Sequence, residues 1–315
     1  MSVIRTVFLG TPFIAKECLK ALVEDEHFEV VGVVSQPDRP AGRKMQLKAS
    51  EVSAYALEHK LPLIRPEKAD GEEFIQSIKK WGAECVVVVA YGQILRKDFL
   101  DMFPQKVVNV HASLLPRWRG AAPIQRAMMA GDQETGVCLQ VMTESLDAGA
   151  VLGARKMIIQ DAMNAIDLHN AMIPLAQDLL TVDFMDYMRG NLSPTPQEES
   201  LVTYAKKIKK SESQMDWSLP NREIFNRQRG LMMGPGATTV FRGKPIKIHR
   251  MELVNDLSLK AAPGVIVDVN KSDFTVQCGE GQLKILELQP ASKACQTSAQ
   301  FLLGHKIAKG EVFGE

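Results

Sequence analysis

Residues 85–90, "CVVVVA", constrain the fold more than any other segment of the chain. Four consecutive β-branched residues favour a strand. No polar residue alternates with them, so both faces of that strand must be covered. Such a strand belongs inside a sheet that carries helices on either side. The flanking sequence supplies them. "VIRTVFLG" reads as a strand, Phe13–Glu24 as a helix and "FEVVGVVS" as a second strand, followed by a polar loop over 36–50. Helices are predicted over 51–59 and 72–81, with a short "LPLI" between them. This alternation gives an α/β class with a doubly wound, mainly parallel sheet. Residues 106–110 read as another buried strand. "IQRAMMAGD" reads as a helix ending at Gly131, "TGVCLQVM" and "AVLGARKMII" as strands, and 165–189 as one long helix.

With 315 residues, the chain is a little long for one core. The stretch "GNLSPTPQEES" (190–200) has two prolines and no apolar periodicity, and so marks the boundary. Beyond it, "TTVFRGKPIKIHRMELV", "GVIVDVN", "FTVQCG" and "GQLKILELQ" are short strands separated by turn residues, the pattern of a small barrel. The expected division is a first domain over 1–189, a linker over 190–207 and a carboxyl-terminal domain over 208–315. The net charge of +1 favours no partner, although residues 208–315 are mildly basic, a weak signal for a polyanion. No signal-peptide pattern opens the chain and no apolar run nears the length of a membrane span, so a cytoplasmic location is expected. The five cysteines form no CxxC pair, which argues against a disulfide framework or a zinc site.

The sequence contains no GxGxxG, Walker A, HExxH or GxSxG, which removes the common dehydrogenase, NTPase, zinc-protease and α/β-hydrolase readings. What remains is a constellation of Asn109, His111 and Asp147. The first two close a strand at the sheet edge where open α/β folds bind ligands. An imidazole beside an amide can stabilise an oxyanion, and a carboxylate can orient or protonate the imidazole. The plain alternative is a satisfied core histidine, a turn-forming asparagine and a loop cap. "RWRGAAPIQR" is open to two readings, an anion- or ring-binding loop or an Arg–Trp stack on the surface. "QPDRPAGRKMQLKAS" carries Arg39, Arg43 and Lys44 on a loop long enough to serve as a binding element. Lys206 and Lys207 belong to a lysine cluster that is either solvated or in reach of a polyanion.

"NVHASLLPRWRGAAPIQ", with "GDQETGV" and "SLDAG", resembles the formyltransferase family that uses 10-formyltetrahydrofolate, in particular the branch whose acceptor is methionyl-tRNA. "GTP" after the first strand, "QPDRPAGR", "VVVVAYGQIL", "LVTYAKK" and "AAPG" extend the likeness over nearly the whole chain. It implies a Rossmann-like catalytic domain followed by an OB-like barrel, and it implies Asn109, His111 and Asp147 as the catalytic trio. The implied folate pocket runs along Ala90, Tyr91, Gly92, Gln93, Ile94 and Leu95, then Ser113, Leu114, Leu115 and Pro116, then Leu146, Ala148 and Gly149. Arg39, Arg43, Lys44, Lys206 and Lys207 are implied in binding tRNA, the implied partner being initiator methionyl-tRNA. The implied chemistry is formyl transfer from 10-formyltetrahydrofolate by a monomer without a metal. A sugar-amine or glycinamide-ribonucleotide formyltransferase would share the trio. A folate- or RNA-binding protein without catalysis is the alternative of a different class. The chain departs from the family pattern at Ala148 and Ala150, where threonine and a second aspartate are usual. It departs again at "ASEVS" (49–53) and "MMGP" (232–235).

Overall fold

The computed structural model describes residues 3–41, 46–254 and 260–314. They form two compact units that interleave in sequence. One comprises Met1–Gly120, Glu134–Ile158 and His169–Tyr204. The other comprises Ala121–Gln133, Ile159–Leu168 and Ala205–Glu315.

The first unit is built on strands β1 (Ile4–Gly10), β2 (Phe28–Val34), β5 (Leu63–Ile64), β6 (Cys85–Val89), β7 (Val107–His111), β8 (Glu134–Val141) and β9 (Val151–Ile158). Their order in the sheet is β5-β2-β1-β6-β7-β8-β9. The first five run parallel, and β8 and β9 add antiparallel strands at one edge. All five residues of β6 are buried, as a strand flanked by two others and covered on both faces requires. The chain leaves β1 in both directions across the sheet, which sets a switch point between β1 and β6 and a crevice at the carboxyl ends of the central strands. The fold is the α/β, Rossmann-like class expected.

Helices α1 (Phe13–Glu24), α2 (Glu51–Glu58) and α3 (Gly71–Lys80) match the sequence reading closely. The Ser50 hydroxyl caps α2 by accepting the Ser53 N–H. Two features were not foreseen. The polar loop over 36–50 contains a small antiparallel pair, β3 (Arg39–Ala41) with β4 (Gln46–Lys48). The expected long helix runs unbroken over 165–188 but widens once, so that α6 (Ala165–Asp178) passes through a π-turn at Leu179–Asp183 into α7 (Phe184–Met188). Arg155 spans this turn, its guanidinium binding both Asp178 and Asp183. Residues five apart lie on different faces of an α-helix, whereas a wider turn brings them together.

The second unit holds α5 (Pro123–Ala130), α8 (Asn221–Gly230), α9 (Ser298–Gly304) and an antiparallel sheet of β10 (Ala237–Phe241), β11 (Lys244–Val254), β14 (Gln282–Pro290), β13 (Phe274–Gln277) and β12 (Ile266–Val269), in that order. β15 (Gln296–Thr297) pairs with β14. The end of the chain closes the sheet. Phe313 bridges Phe241 at one edge, and Val312 bridges Val265 beside the other. The Phe313 ring stacks on Phe241 and Phe274 inside, with ring centres 4.7 and 5.5 Å apart. Closure removes the open edges and gives the OB-like barrel.

An ion pair in this unit sets an acid response. Arg126 forks onto Glu212, which also accepts the Lys209 N–H at 2.7 Å. Mainly through Arg126, the Glu212 carboxyl is pulled from 4.5 down to about 2. A folded-state value below the unfolded one stabilises above pH ~4.5 and is lost as pH falls towards 2. Solvent screens part of the pair, so its contribution is roughly 1–2 kcal/mol. Glu212→Gln should lower neutral-pH stability by that amount and flatten the acid limb between those limits. Urea denaturation at a series of pH values checks this, and an unchanged acid limb would rule the pair out.

Candidate active site

Asn109 and His111 are two residues apart on β7, so their side chains share one face of the sheet, at the crevice end. Asn109 pairs across to Gln140 on β8, and His111 to Cys138. His111 is 5% exposed. Its Nε2 lies 2.9 Å from the Trp118 carbonyl oxygen, and its Nδ1 lies 3.7 Å from Asp147 Oδ2. A carbonyl only accepts, so Nε2 carries the proton in that bond. Nδ1 is therefore the ring nitrogen turned to the carboxylate.

Asp147 does not touch the ring at hydrogen-bond distance. Its Oδ2 accepts the Gly120 N–H at 2.8 Å, and its Oδ1 accepts the Gln140 amide at 3.0 Å. Both Trp118 (φ 65°) and Asp147 (φ 46°) adopt left-handed backbone, which is strained for side-chain-bearing residues. At Trp118 the strain accompanies the turn that aims its carbonyl at His111. At Asp147 it accompanies the placing of the carboxylate between Gly120 and the imidazole. Among the described residues no side-chain hydrogen bond holds Asn109, which leaves its amide for a ligand.

The residues expected to wall the folate pocket fall into three segments of the same unit. Ala90 (φ 45°) and Gly92 (φ 86°) turn the chain after β6. Thr11 and Gln36 donate to the Tyr91 carbonyl, and Gln93 bonds to the Ala69 N–H and the Pro66 carbonyl. Tyr91 and Leu95 point into the core. The Tyr91 hydroxyl is buried without a hydrogen-bond partner, and burial lifts its pKa to about 12. Ile94 and Leu146, by contrast, are 86% and 61% exposed. Large apolar side chains left in water beside a crevice suit the face of a flat ring system. Ser113 is buried and donates to the Arg117 carbonyl, Leu114, Leu115 and Pro116 are half-buried, and Ala148 and Gly149 complete the Asp147 turn.

The "RWRG" loop turns out to be largely structural. Arg117 lies over the Trp118 ring at 4.4 Å, and Arg119, 3% exposed, bonds to Gln197 and Glu199. Of the basic residues, Arg39 sits exposed on β3 with Glu67 at 3.8 Å. Arg43 and Lys44 lie outside the described residues. Lys206 and Lys207 are exposed in the second unit, and their carbonyls accept from Arg126. Three participants escaped the sequence reading: Gln140, Gln197 and the Trp118 carbonyl. Only Gln140 left a trace, as the one amide within the apolar run Val137–Val141 of β8. Among the described residues no cluster of three or more His, Cys, Asp and Glu side chains is placed to hold a metal ion.

The Formyl transferase family matches residues 4–181, and its C-terminal domain family matches 207–306. A methionyl-tRNA formyltransferase of Bdellovibrio bacteriovorus is 51% identical over 317 residues, covering 100% of both chains. Another, of Pseudoalteromonas translucida, is 39% identical over 99% of this chain and 98% of its own. Among solved structures, an N-formyltransferase from Helicobacter canadensis, crystallised with folinic acid and dTDP-3-aminofucose, superposes with a TM-score of 0.67. It covers 91% of this chain and 100% of its own at 16% identity, a likeness of fold.

Proposed function

The chain belongs to the methionyl-tRNA formyltransferase family, and we propose on that footing that Asn109, His111 and Asp147 carry out its formyl transfer. The acceptor is the α-amine of methionyl-tRNA, which we take to be the initiator species. The folate co-substrate supplies a formyl group activated on its N10 nitrogen. Asn109 donates an amide N–H to the formyl oxygen as negative charge grows there. A preorganised donor of this kind acts without reorientation as the charge develops. His111, whose Nε2 proton is held by the Trp118 carbonyl, presents Nδ1 to accept the proton that the attacking amine sheds. Asp147, 3.7 Å from Nδ1, offers the carboxylate beside which the proton shed by the amine can pass on its way to the leaving nitrogen. The observation that carries this reading is the convergence of three residues, from β7 and from a turn 36 positions further on, at the carboxyl edge of the sheet.

The segments 90–95, 113–116 and 146–149 hold the folate, with Ile94 and Leu146 as apolar walls. Arg39, Arg43, Lys44, Lys206 and Lys207 engage tRNA phosphates. Functionally, 1–189 is the catalytic part, 190–207 the connection and 208–315 the part that binds tRNA, a division that the family matches at 4–181 and 207–306 support. No helix among the described residues is long and apolar enough to cross a membrane. We place the enzyme in the cytoplasm as a monomer. The direct test is incubation with 10-formyltetrahydrofolate and charged initiator tRNA, with assay for formylmethionine. Absence of that product would sink the reading.

The two substrates should respond differently to salt. If Arg39, Arg43, Lys44, Lys206 and Lys207 each neutralise one phosphate, tRNA affinity should fall roughly 500-fold between 50 and 200 mM salt through counterion release. Folate, held by apolar walls and backbone, should change less than about 3-fold over the same range. Filter binding of charged tRNA, with folate titration in parallel, makes the comparison. Equal slopes would remove tRNA as the polyanionic partner.

A further inference from the structure

We propose that Gln197, in the irregular segment after α7, is a positioning residue for Asp147. Its carboxamide fixes the backbone of the 147–149 turn, and through it the place of the catalytic carboxylate. The proposal rests on the assignment of Asp147 to the reaction.

Gln197 Nε2 lies 2.8 Å from the Asp147 carbonyl oxygen and 2.7 Å from the Gly149 carbonyl oxygen. A carboxamide has two N–H bonds, and these two carbonyls are its near acceptors, with Gln140 Oε1 further off at 3.5 Å. Its Oε1 accepts from Arg119 Nε at 3.0 Å. The amide can be oriented in only one way, because a guanidinium only donates and backbone carbonyls only accept. Arg119 is fixed in turn. Its side chain is 4% exposed, and the fork closes on Glu199 at 2.7 Å. Its backbone N–H donates to the Thr203 carbonyl, and the Thr203 hydroxyl accepts from the Trp118 N–H. The segment 197–203 therefore ties down both the turn that carries Asp147 and the loop whose Trp118 carbonyl holds His111.

The turn needs an external hold. Asp147 is in the left-handed region, a conformation that disfavours a residue with a Cβ. Ala148 and Ala150 have no side-chain hydrogen bonds to give. Among the described residues, the backbone of 147–149 has one local bond, the weak Ala148 N–H to the Ser145 carbonyl at 3.4 Å, and the next firm tie is the Val141 N–H to the Ala150 carbonyl at 2.9 Å. Gln197 supplies what the turn lacks, from 50 positions away.

The test compares Gln197→Ala and Gln197→Glu with the parent enzyme, using kinetics and amide hydrogen exchange at 148–150. Glutamate keeps the length of the side chain and an acceptor for Arg119, but has no N–H for the two carbonyls. A residue that only filled space or paired with Arg119 would tolerate that change. Both variants should lower kcat by about 10-fold or more while leaving KM for the folate within about 3-fold, the pattern of a misplaced catalytic group. Exchange at 148–150 should quicken in both. On an Asp147→Asn background, Gln197→Ala should add less than about 2-fold, because its effect passes through that carboxylate. Normal turnover in either variant, unchanged exchange at 148–150, or an equal loss on both backgrounds would overturn the proposal. If Gln197→Ala does not fold, the glutamate variant carries the same comparisons. Normal turnover in Asp147→Asn alone would defeat the catalytic assignment first, and this proposal with it.

Discussion

Replacing His111 with alanine should lower kcat by about 10²–10³ while the protein stays folded, and Asn109→Ala should do comparable damage. The reason is geometric. Asn109 and His111 share one face of β7, and the imidazole is locked by the Trp118 carbonyl at 2.9 Å before any substrate arrives. Groups fixed in advance contribute most where charge develops and protons move, so each loss falls on kcat rather than on KM. Asp147→Asn should cost about as much, although by a different route. The asparagine can still accept the Gly120 N–H through its oxygen, but its amide brings no negative charge to the ring nitrogen 3.7 Å away. His111→Ala combined with Asp147→Asn should be far less harmful than the product of the single effects, since the two act as a unit. Steady-state kinetics with saturating folate, paired with thermal melts, decide the matter. Near-normal turnover in either His111→Ala or Asp147→Asn would end the assignment.

Gly149→Ala should reduce kcat by about 10²-fold without any change to a catalytic side chain. An added Cβ at Gly149 would stand 1.6 Å from the Val141 carbonyl oxygen and 2.8 Å from its carbon. Those are backbone atoms of β8, a strand paired on both edges, and so they cannot give way cheaply. The 147–149 turn must move instead, and Asp147 moves with it. A misplacement of ~1 Å at a catalytic group costs about 10²-fold. Because the Gly149 carbonyl also binds Gln197, the same shift breaks one of the two hydrogen bonds that Gln197 makes to the backbone of the turn. Ala148→Gly, next in the chain but not under that carbonyl, is the natural control and should lose far less. If Gly149→Ala keeps full activity, the turn is not held against β8 as the structure places it.

Much of this protein follows from local pattern. The unbroken valines of β6 demanded a strand covered on both faces, and hydrophobic burial at a fixed period of two or 3.6 residues is a short-range signal. The helix at Phe13–Glu24, the Gly131 stop after α5 and the change to short strands after residue 200 were legible for the same reason. So were Asn109 and His111, because polar residues at the end of an apolar strand stand out against it. The helix over 165–189 was legible, but the π-turn inside it was not. Nothing between 178 and 183 announces it, and what accompanies it is a contact with Arg155, more than twenty residues away, which binds both aspartates. The role of "RWRG" was undecidable for a similar reason. Whether an arginine meets a ligand or a neighbour depends on what the fold places opposite it, and for Arg119 that is Gln197 and Glu199. The sequence named the aspartate, whereas only the tertiary structure showed that Gly120, Gln140 and Gln197 hold it in place. Apolar burial is written in the order of residues along one segment. A hydrogen bond between a side chain and distant backbone leaves no such mark, since any amide or guanidinium can make one and the folded chain alone selects which.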